Sequence, residues 1–520
     1  MSERGQGLLK SSSGVSAAVF CSRLLGLVRS MLEAHVLGGG MLCTAWNFAI
    51  MIPSLFRRIL GEGALAQALI PLISHTESLG DPDKVRRQLA VVFSALGIIF
   101  AVIVVGFSVG AIIALPFVPT QEDKLWVGIL PIVMPYSFFI CMVGIIGALL
   151  NTHRIFFIPA LAQLILNLGI IGGLWVLPRW LTGDFSLLAG LSVIVLCSGI
   201  LQLIMMAWLL YRVGRWPKWS NLKSELPVLW ELWHLVLPGL IAASAVQVSF
   251  LIDRSLAYLI SDYAVPALGY SDRIVYLPLG IFATALGSVL LADMSRSAAQ
   301  GRIEEMIEDL RLGLRYVFFL CIPTAVFIVL FREEIIRLLF FGGKFDERAL
   351  QETAWAILFY GLGIPTFCSA KVILPAFYAR KKMSTPMKVS FISLSANLVM
   401  NLILMVPLAQ GGLALATVLS SMLNNGILLL LLRKEGLTLK LELLVKPFCK
   451  VLIASLIAGC VYCCYRPLYN FVKLPFGKPD LVPLMVAGIV FLQIYLLLAK
   501  VFRCEELPEL LSILRRRRKR

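Results

Sequence analysis

Residues 45–74 read AWNFAIMIPSLFRRILGEGALAQALIPLIS. As a helix this stretch is long enough to cross a hydrocarbon core of about 30 Å. Arg57, Arg58 and Glu62 nevertheless lie near its middle, just after Pro53. Apolar length with charge at its centre sets the terms on which the remaining sequence is read.

Apolar runs of this kind recur along almost all 520 residues, and the chain is 59% hydrophobic and only 15% charged. A soluble chain of this size needs far more polar surface, so the bilayer is the solvent. The spans fall near 14–38, 44–75, 88–117, 125–150, 156–178, 185–212, 228–260, 265–295, 308–340, 350–378, 384–407, 410–433, 444–465 and 480–502. No alternation of the barrel kind is present, so the expectation is an all-α polytopic membrane protein with about fourteen transmembrane helices. No cleavable signal peptide is expected, because the polar start Met1–Ser13 leads directly into the first span.

The net charge of +17 is concentrated in links. The start, the links near 78–90, 151–155, 211–226, 295–306, 379–388 and 433–447, and the tail hold most of the Lys and Arg. These fall on one side only if the number of spans is even, which predicts both termini in the cytoplasm. Topology therefore accounts for the charge, and no nucleic-acid partner is expected. The tail RRRRKR (515–520) reads either as a topology marker or as a contact for anionic lipid.

The chain reads as a duplication. YSDRIVYLPLGIFATALGSVLLADMS (270–295) echoes 45–74, with Pro278 inside a long span, small residues after it and a polar end. ALLNTHRIFFIP (148–159) and AFYARKKMSTP (376–386) each place a basic hairpin before a proline that opens the next span. Two six-helix lobes follow, residues 1–220 and 221–436, related by a pseudo-two-fold axis along the membrane normal. Residues 437–520 add two further helices and the basic tail.

Ionisable residues inside spans are the informative ones. Arg23 and Arg29 lie in VSAAVFCSRLLGLVRSMLEAHVLG (15–38), Asp253 and Arg254 in the seventh span, Asp272 and Arg273 in the eighth. An Arg at mid-bilayer costs about 2.5–3.5 kcal/mol even on lenient scales. Such groups face a wet cavity or one another. Arg29 with Glu33 and Arg58 with Glu62 are spaced for i,i+4 pairing, so staples and snorkelling remain open readings for part of the set. The set Arg23, Arg29, Arg57 and Arg273 outnumbers its acids, and guanidinium forks facing a cavity suit the oxygens of a pyrophosphate. Asp253, Asn397, Asn401 and Thr417 offer oxygens for a hard cation such as Na⁺, or ordinary interhelical hydrogen bonds.

Other chemistries lack their signatures. The eleven cysteines show no metal-ligand spacing, the four histidines are isolated, and no phosphate-binding GxxxxGK[ST] loop occurs. No cofactor is expected beyond a coupling ion.

SRLLGLVR (22–29), IPSLFRRILGEGALAQALIP (52–71), GALLNTHRIFFIPA (147–160), SDRIVYLPLG (271–280) and LPAFYARKKMSTP (374–386) resemble the MurJ/MviN lipid II flippases over essentially the whole chain. The resemblance implies a fold of the multidrug/oligosaccharidyl-lipid/polysaccharide exporter superfamily. Its two lobes form a V around a cationic cavity, and the last two helices form a lipid-tail groove. It implies that Arg23, Arg29, Arg57 and Arg273 bind the pyrophosphate. It further implies that Ser22, Arg58, Glu62 and Asp272 are functionally sensitive, and that Asp253, Asn397, Asn401 and Thr417 match a sodium site. The expected substrate is lipid II, an undecaprenyl-pyrophosphate-linked saccharide-peptide, flipped across the bacterial inner membrane by a non-enzymatic monomer among membrane lipids and cell-wall synthesis enzymes.

The chain departs from the family's pattern at Ser30 and Thr44, where Asp is common, and at Met51, near a common Lys. Glu33, one turn after Arg29, stands as a substitute acid. A flippase for another polyprenyl-linked saccharide remains the nearest alternative. A drug/cation antiporter is expected to line its cavity with acids, and a membrane glycosyltransferase needs catalytic carboxylates or a large external loop. The longest external link, near 466–479, contains no acid.

Overall fold

The computed structural model describes residues 21–509 apart from 62–63, 154, 156, 221, 438, 441, 461 and 463–480. Glu62 therefore lies outside the described residues. Among the described residues the structure is helical, and the sole departure toward β structure is one isolated bridge between Gly342 and Phe345. The chain divides into two compact units. Unit 1 holds residues Met1–Leu251 with Gly342–Phe345, and unit 2 holds Ile252–Phe341 with Asp346–Arg520.

Unit 1 begins with α1 (residues 21–37), α2 (Met41–Phe56), α3 (Ala64–Ser78) and α4 (Pro82–Ala114). There follow α5 (Gln121–Val133), α6 (Tyr136–Thr152), α7 (Phe157–Val176), α8 (Asp184–Arg212), the short α9 (Leu222–Glu225) and most of α10 (Pro227–Ile260). α4 shows how local chemistry sets a span. Asp81 caps it by accepting from Lys84 N at 2.9 Å, and Pro82 occupies the first turn, where a missing N–H costs nothing. The helix then runs about 50 Å, enough to cross the bilayer and emerge. The link after α8 is stitched back to the start of α4, with Lys218 Nζ 2.8 Å from Asp83 and Arg87 Nε 3.3 Å from Glu225.

Unit 2 continues with α11 (Ala264–Pro278), α12 (Thr284–Ala299), α13 (Ile303–Leu330), α14 (Arg332–Phe340), α15 (Glu347–Leu362) and α16 (Ile364–Ala379). It ends with α17 (Ser384–Leu408), α18 (Gln410–Lys434), α19 (Glu442–Gly459) and α20 (Leu481–Val501). The last two helices pack on α13 through Phe319, Ile322, Val451, Ala454, Phe491 and Tyr495. The Tyr495 hydroxyl, buried in this apolar cluster, is satisfied by donating to Phe319 O at 2.7 Å.

Two spans read as continuous from the sequence are interrupted by π-helical turns. Arg57–Gly61 separates α2 from α3, and Leu279–Ala283 separates α11 from α12. Each break follows a proline, Pro53 or Pro278, which withholds an N–H from the helical ladder. Gly61 completes the first break. A Cβ on Gly144 of α6 would lie 2.7 Å from Gly61 O, so the two backbones meet with no side chain between them.

The next helix pairs bend as well. α5 and α6 meet at a bend of 51° at Met134–Pro135, and α15 and α16 at one of 41° at Gly363. The π break and the bend occupy the second and fourth spans of each sequence half. The duplication thus appears in the irregularities as well as in the motifs. The stretch read as 308–340 also divides, at Phe331, into α13 and α14.

Among the described residues seven helices are long and apolar enough to cross a membrane, or nine with the two bent pairs counted as spans. The sequence-read spans outside that number are the one at 444–465 and the four that carry the intramembrane arginines.

Candidate functional site

The first constellation lies in unit 1. Arg29 on α1 is largely buried, its side chain 15% exposed, and its Nε stands 3.3 Å from Glu33 Oε1 one turn on. Arg29 Nη1 also donates to Asn167 Oδ1 on α7 at 3.2 Å, and Asn167 Nδ2 donates to Ser22 O at 3.4 Å. Glu33 accepts from Trp46 Nε1 at 3.4 Å. Arg29 and Glu33 thus form a polar seam between α1, α2 and α7. Ser30 and Thr44 are both buried here. The Ser30 hydroxyl turns to Gly26 O at 3.0 Å.

Arg23, two turns before Arg29, is exposed and among the described residues makes no ion pair or side-chain hydrogen bond. Arg57 and Arg58 open the π turn. Arg58 Nη1 donates to Gln247 Oε1 at 3.4 Å, and its guanidinium stands 5.2 Å from the Phe250 ring centroid. The described partners of Arg58 are therefore on α10.

In unit 2, Arg254 on α10 is 7% exposed. It forms an ion pair with Asp272 on α11 and donates to Val265 O at 3.2 Å. A cation and an anion, each costly alone at membrane depth, neutralise one another here. Arg273, the next residue, is exposed. Asp253, beside Arg254, turns elsewhere. Its Oδ1 accepts from Asn401 Nδ2 at 2.6 Å, and the same Nδ2 lies 3.1 Å from Asn397 Oδ1.

Asn401 is fully buried, and its Oδ1 has no hydrogen-bond partner. The orphaned oxygen belongs to the amide whose nitrogen meets a carboxylate and a second amide oxygen, and carboxylate and amide oxygens are the donor types that suit a hard monovalent cation. Thr417 stands apart, its hydroxyl donating to Leu413 O of its own helix at 3.0 Å. Among the described residues no group of three or more His, Cys, Asp and Glu is placed to hold a metal ion.

Sequence reasoning missed several groups. Asn167 and Gln247 are the partners of Arg29 and Arg58, and neither carries a signal in a linear reading. Lys371 does: it is a lone lysine within the apolar α16, exposed and, among the described residues, without an ion pair or side-chain hydrogen bond. Its backbone carbonyl packs against Gly287, where a Cβ would lie 2.6 Å from it.

These features define a polytopic helical membrane protein with cationic groups within its helices. The family model for the lipid II flippase MurJ matches residues 33–475, and the chain belongs to that family. The probable lipid II flippase MurJ of Vibrio cholerae is 30% identical over 444 residues, 82% of this chain and 83% of that protein. The lipid II flippase MurJ of Burkholderia cenocepacia is 28% identical over 433 residues, covering 81% and 83%. A structure of the lipid II flippase MurJ in an inward closed conformation has the same fold, with a TM-score of 0.76 at 23% identity, covering 94% of this chain and 98% of that one. An inward-facing multidrug resistance transporter of the MATE family shares the fold more distantly, with a TM-score of 0.63 at 13% identity and coverage of 81% and 95%.

Proposed function

We propose that this chain flips lipid II from the cytoplasmic to the outer leaflet of the bacterial inner membrane by alternating access. Both termini lie in the cytoplasm in this reading, and the protein acts as a monomer that makes and breaks no covalent bond. Membership of the lipid II flippase family supports the substrate. The observation that carries the mechanism is Arg23, a guanidinium in the first span with no partner among the described residues. A charge in an apolar span that meets no acid among the described residues is best explained by an external anion.

Arg23, Arg29, Arg57 and Arg273 receive the pyrophosphate in this proposal. Each guanidinium replaces hydration that the diphosphate loses on leaving water. Arg29 is oriented by Glu33 and Asn167, which hold its fork in place before substrate arrives. Ser22 supports that seam through its carbonyl. Arg58, Glu62 and Asp272 act as gating or supporting groups.

An anionic head group moving outward runs down an inside-negative potential, worth about 2.3 kcal/mol per charge per 100 mV. Resetting the empty cationic protein is assigned to a counter-ion, Na⁺. Asp253, Asn397 and Asn401 would hold it, with Thr417 as a further oxygen.

The test is replacement of the native flippase in a depletion strain. The chain is expected to restore growth and outward-facing lipid II. Lipid II that stays on the inner leaflet in cells making the intact protein sinks the proposal.

A further inference from the structure

The basic end of α18 carries a feature that the transport reading does not use. A cleft of about 510 Å³ is lined by Ile427, Leu430, Leu431, Arg433 and Lys434. The three apolar residues and Lys434 follow an i, i+3, i+4, i+7 stripe, so they lie along one helix face. That stripe extends about 10 Å from the charged end toward the membrane interior. Leu430 is exposed along it. The cleft is therefore apolar over a length that matches several methylenes and cationic only at its mouth.

Among the described residues the two cations are not neutralised. Glu435 is the adjacent acid, but its carboxylate is taken by Arg380 and Lys382, the latter at 2.7 Å. Among the described residues neither Arg433 nor Lys434 makes an ion pair or a side-chain hydrogen bond. The carbonyls of the last turn, which would repel an anion, are already used. Glu435 N donates to Leu431 O at 3.1 Å, Gly436 N to Arg433 O at 3.1 Å and Leu437 N to Leu432 O at 3.0 Å. Gly436, with φ at +83°, makes that closure possible.

We propose that this cleft is a resident site for an anionic glycerophospholipid. The phosphate sits on Arg433 and Lys434, and one acyl chain lies on Ile427, Leu430 and Leu431. Charge selects the head group: a zwitterionic lipid brings its own cation to the same mouth and gains less. The two cations at its mouth, rather than its apolar lining, distinguish this cleft from the other apolar faces.

The experiment uses the full chain purified in mild detergent, titrated with phosphatidylglycerol or with phosphatidylcholine of the same chains, and read by native mass spectrometry. One tight phosphatidylglycerol adduct is expected, at least tenfold tighter than phosphatidylcholine. The double variant R433Q/K434Q is expected to lose that preference, while the charge-matched control K388Q/K440Q keeps it. Leu430→Trp, which leaves both cations in place and fills the cleft, is expected to weaken the adduct as well. Glycerol 1-phosphate serves as competitor. If it displaces the lipid at similar concentration, the site is one for free anions and the proposal fails. It fails equally if both lipids bind alike, or if the control variant loses as much as R433Q/K434Q.

Discussion

Gly144 lies against the carbonyl of Gly61, so close that a β-carbon at 144 would stand 2.7 Å from that oxygen. The obstacle is backbone held in a π turn and has no rotamer by which to withdraw. Gly144→Ala is therefore expected to cost about 1–3 kcal/mol through overpacking. Gly110, on the exposed face of α4, has nothing within 4 Å of its would-be Cβ. Gly110→Ala is expected to be neutral or to stabilise by about 0.5–1 kcal/mol from helix propensity. Thermal unfolding of the two variants in one detergent decides this, and equal midpoints would remove the close approach from the argument.

Arg23 and Arg254 are both arginines in apolar spans, yet they predict opposite phenotypes. Arg254→Ala strands Asp272 without its ion pair, which is expected to destabilise by about 3–5 kcal/mol. Arg23→Ala removes a group with no partner among the described residues, and stability is expected to stay within about 0.5 kcal/mol. Outward-facing lipid II should nevertheless fall with Arg23→Ala. A protein destabilised by Arg23→Ala, or one that still flips lipid normally, would defeat the assignment of Arg23 to the substrate.

Legibility in the sequence followed distance along the chain. The helical class, the duplication and the contact of Arg29 with Glu33 depend on local spacing, and local spacing is visible. The π turns were not visible, because an added residue rotates the following helix by about 100°, and a span apolar on nearly every face has no stripe to show the shift. Asn167 meets Arg29 across a separation of 138 residues, and Asn401 meets Asp253 across 148. No linear signal reports such pairs. Arg254 and Asp272 are only 18 apart, but a turn separates them, so their spacing gives no helical signal of the pair.

The seam at Arg29 makes a coupling prediction. Glu33→Gln and Arg29→Gln each break the 3.3 Å pair, and their combination should cost less than their sum. A coupling of about 0.5–3 kcal/mol is expected from a double-mutant cycle on thermal unfolding. The swap Arg29→Glu/Glu33→Arg should recover part of the stability. Strict additivity, with no recovery by the swap, would show that the two side chains act independently.

Glu435 supplies a pH dependence. Hydrogen bonding from Lys382, with the Arg380 charge adding to it, holds its carboxyl below the ordinary value of 4.5. A depressed acid binds its proton later in the folded state, so its contribution is present above about pH 4.5 and is lost as pH falls through the lower folded value. The melting midpoint of the intact protein should drop more steeply below pH 4.5 than that of Glu435→Gln. Parallel curves would mean that the bridge to Arg380 and Lys382 contributes nothing to stability.

Asn401 spends both described bonds of its side chain as a donor from one nitrogen, to Asp253 and to Asn397, and leaves its own oxygen buried and bare. A cation at that oxygen would repair the deficit, and a ligand that binds only the folded state raises stability by RT ln(1 + [L]/Kd). Exchanging KCl for NaCl at constant ionic strength should therefore raise the melting midpoint of the intact chain. Asn401→Leu and Asp253→Asn should abolish the rise, whereas Thr417→Val, whose hydroxyl bonds its own helix, should leave most of it. This measurement needs no transport, so it separates ion binding from flipping. An equal response to Na⁺ and K⁺, or one that survives Asp253→Asn, leaves these oxygens as an ordinary interhelical hydrogen-bond cluster.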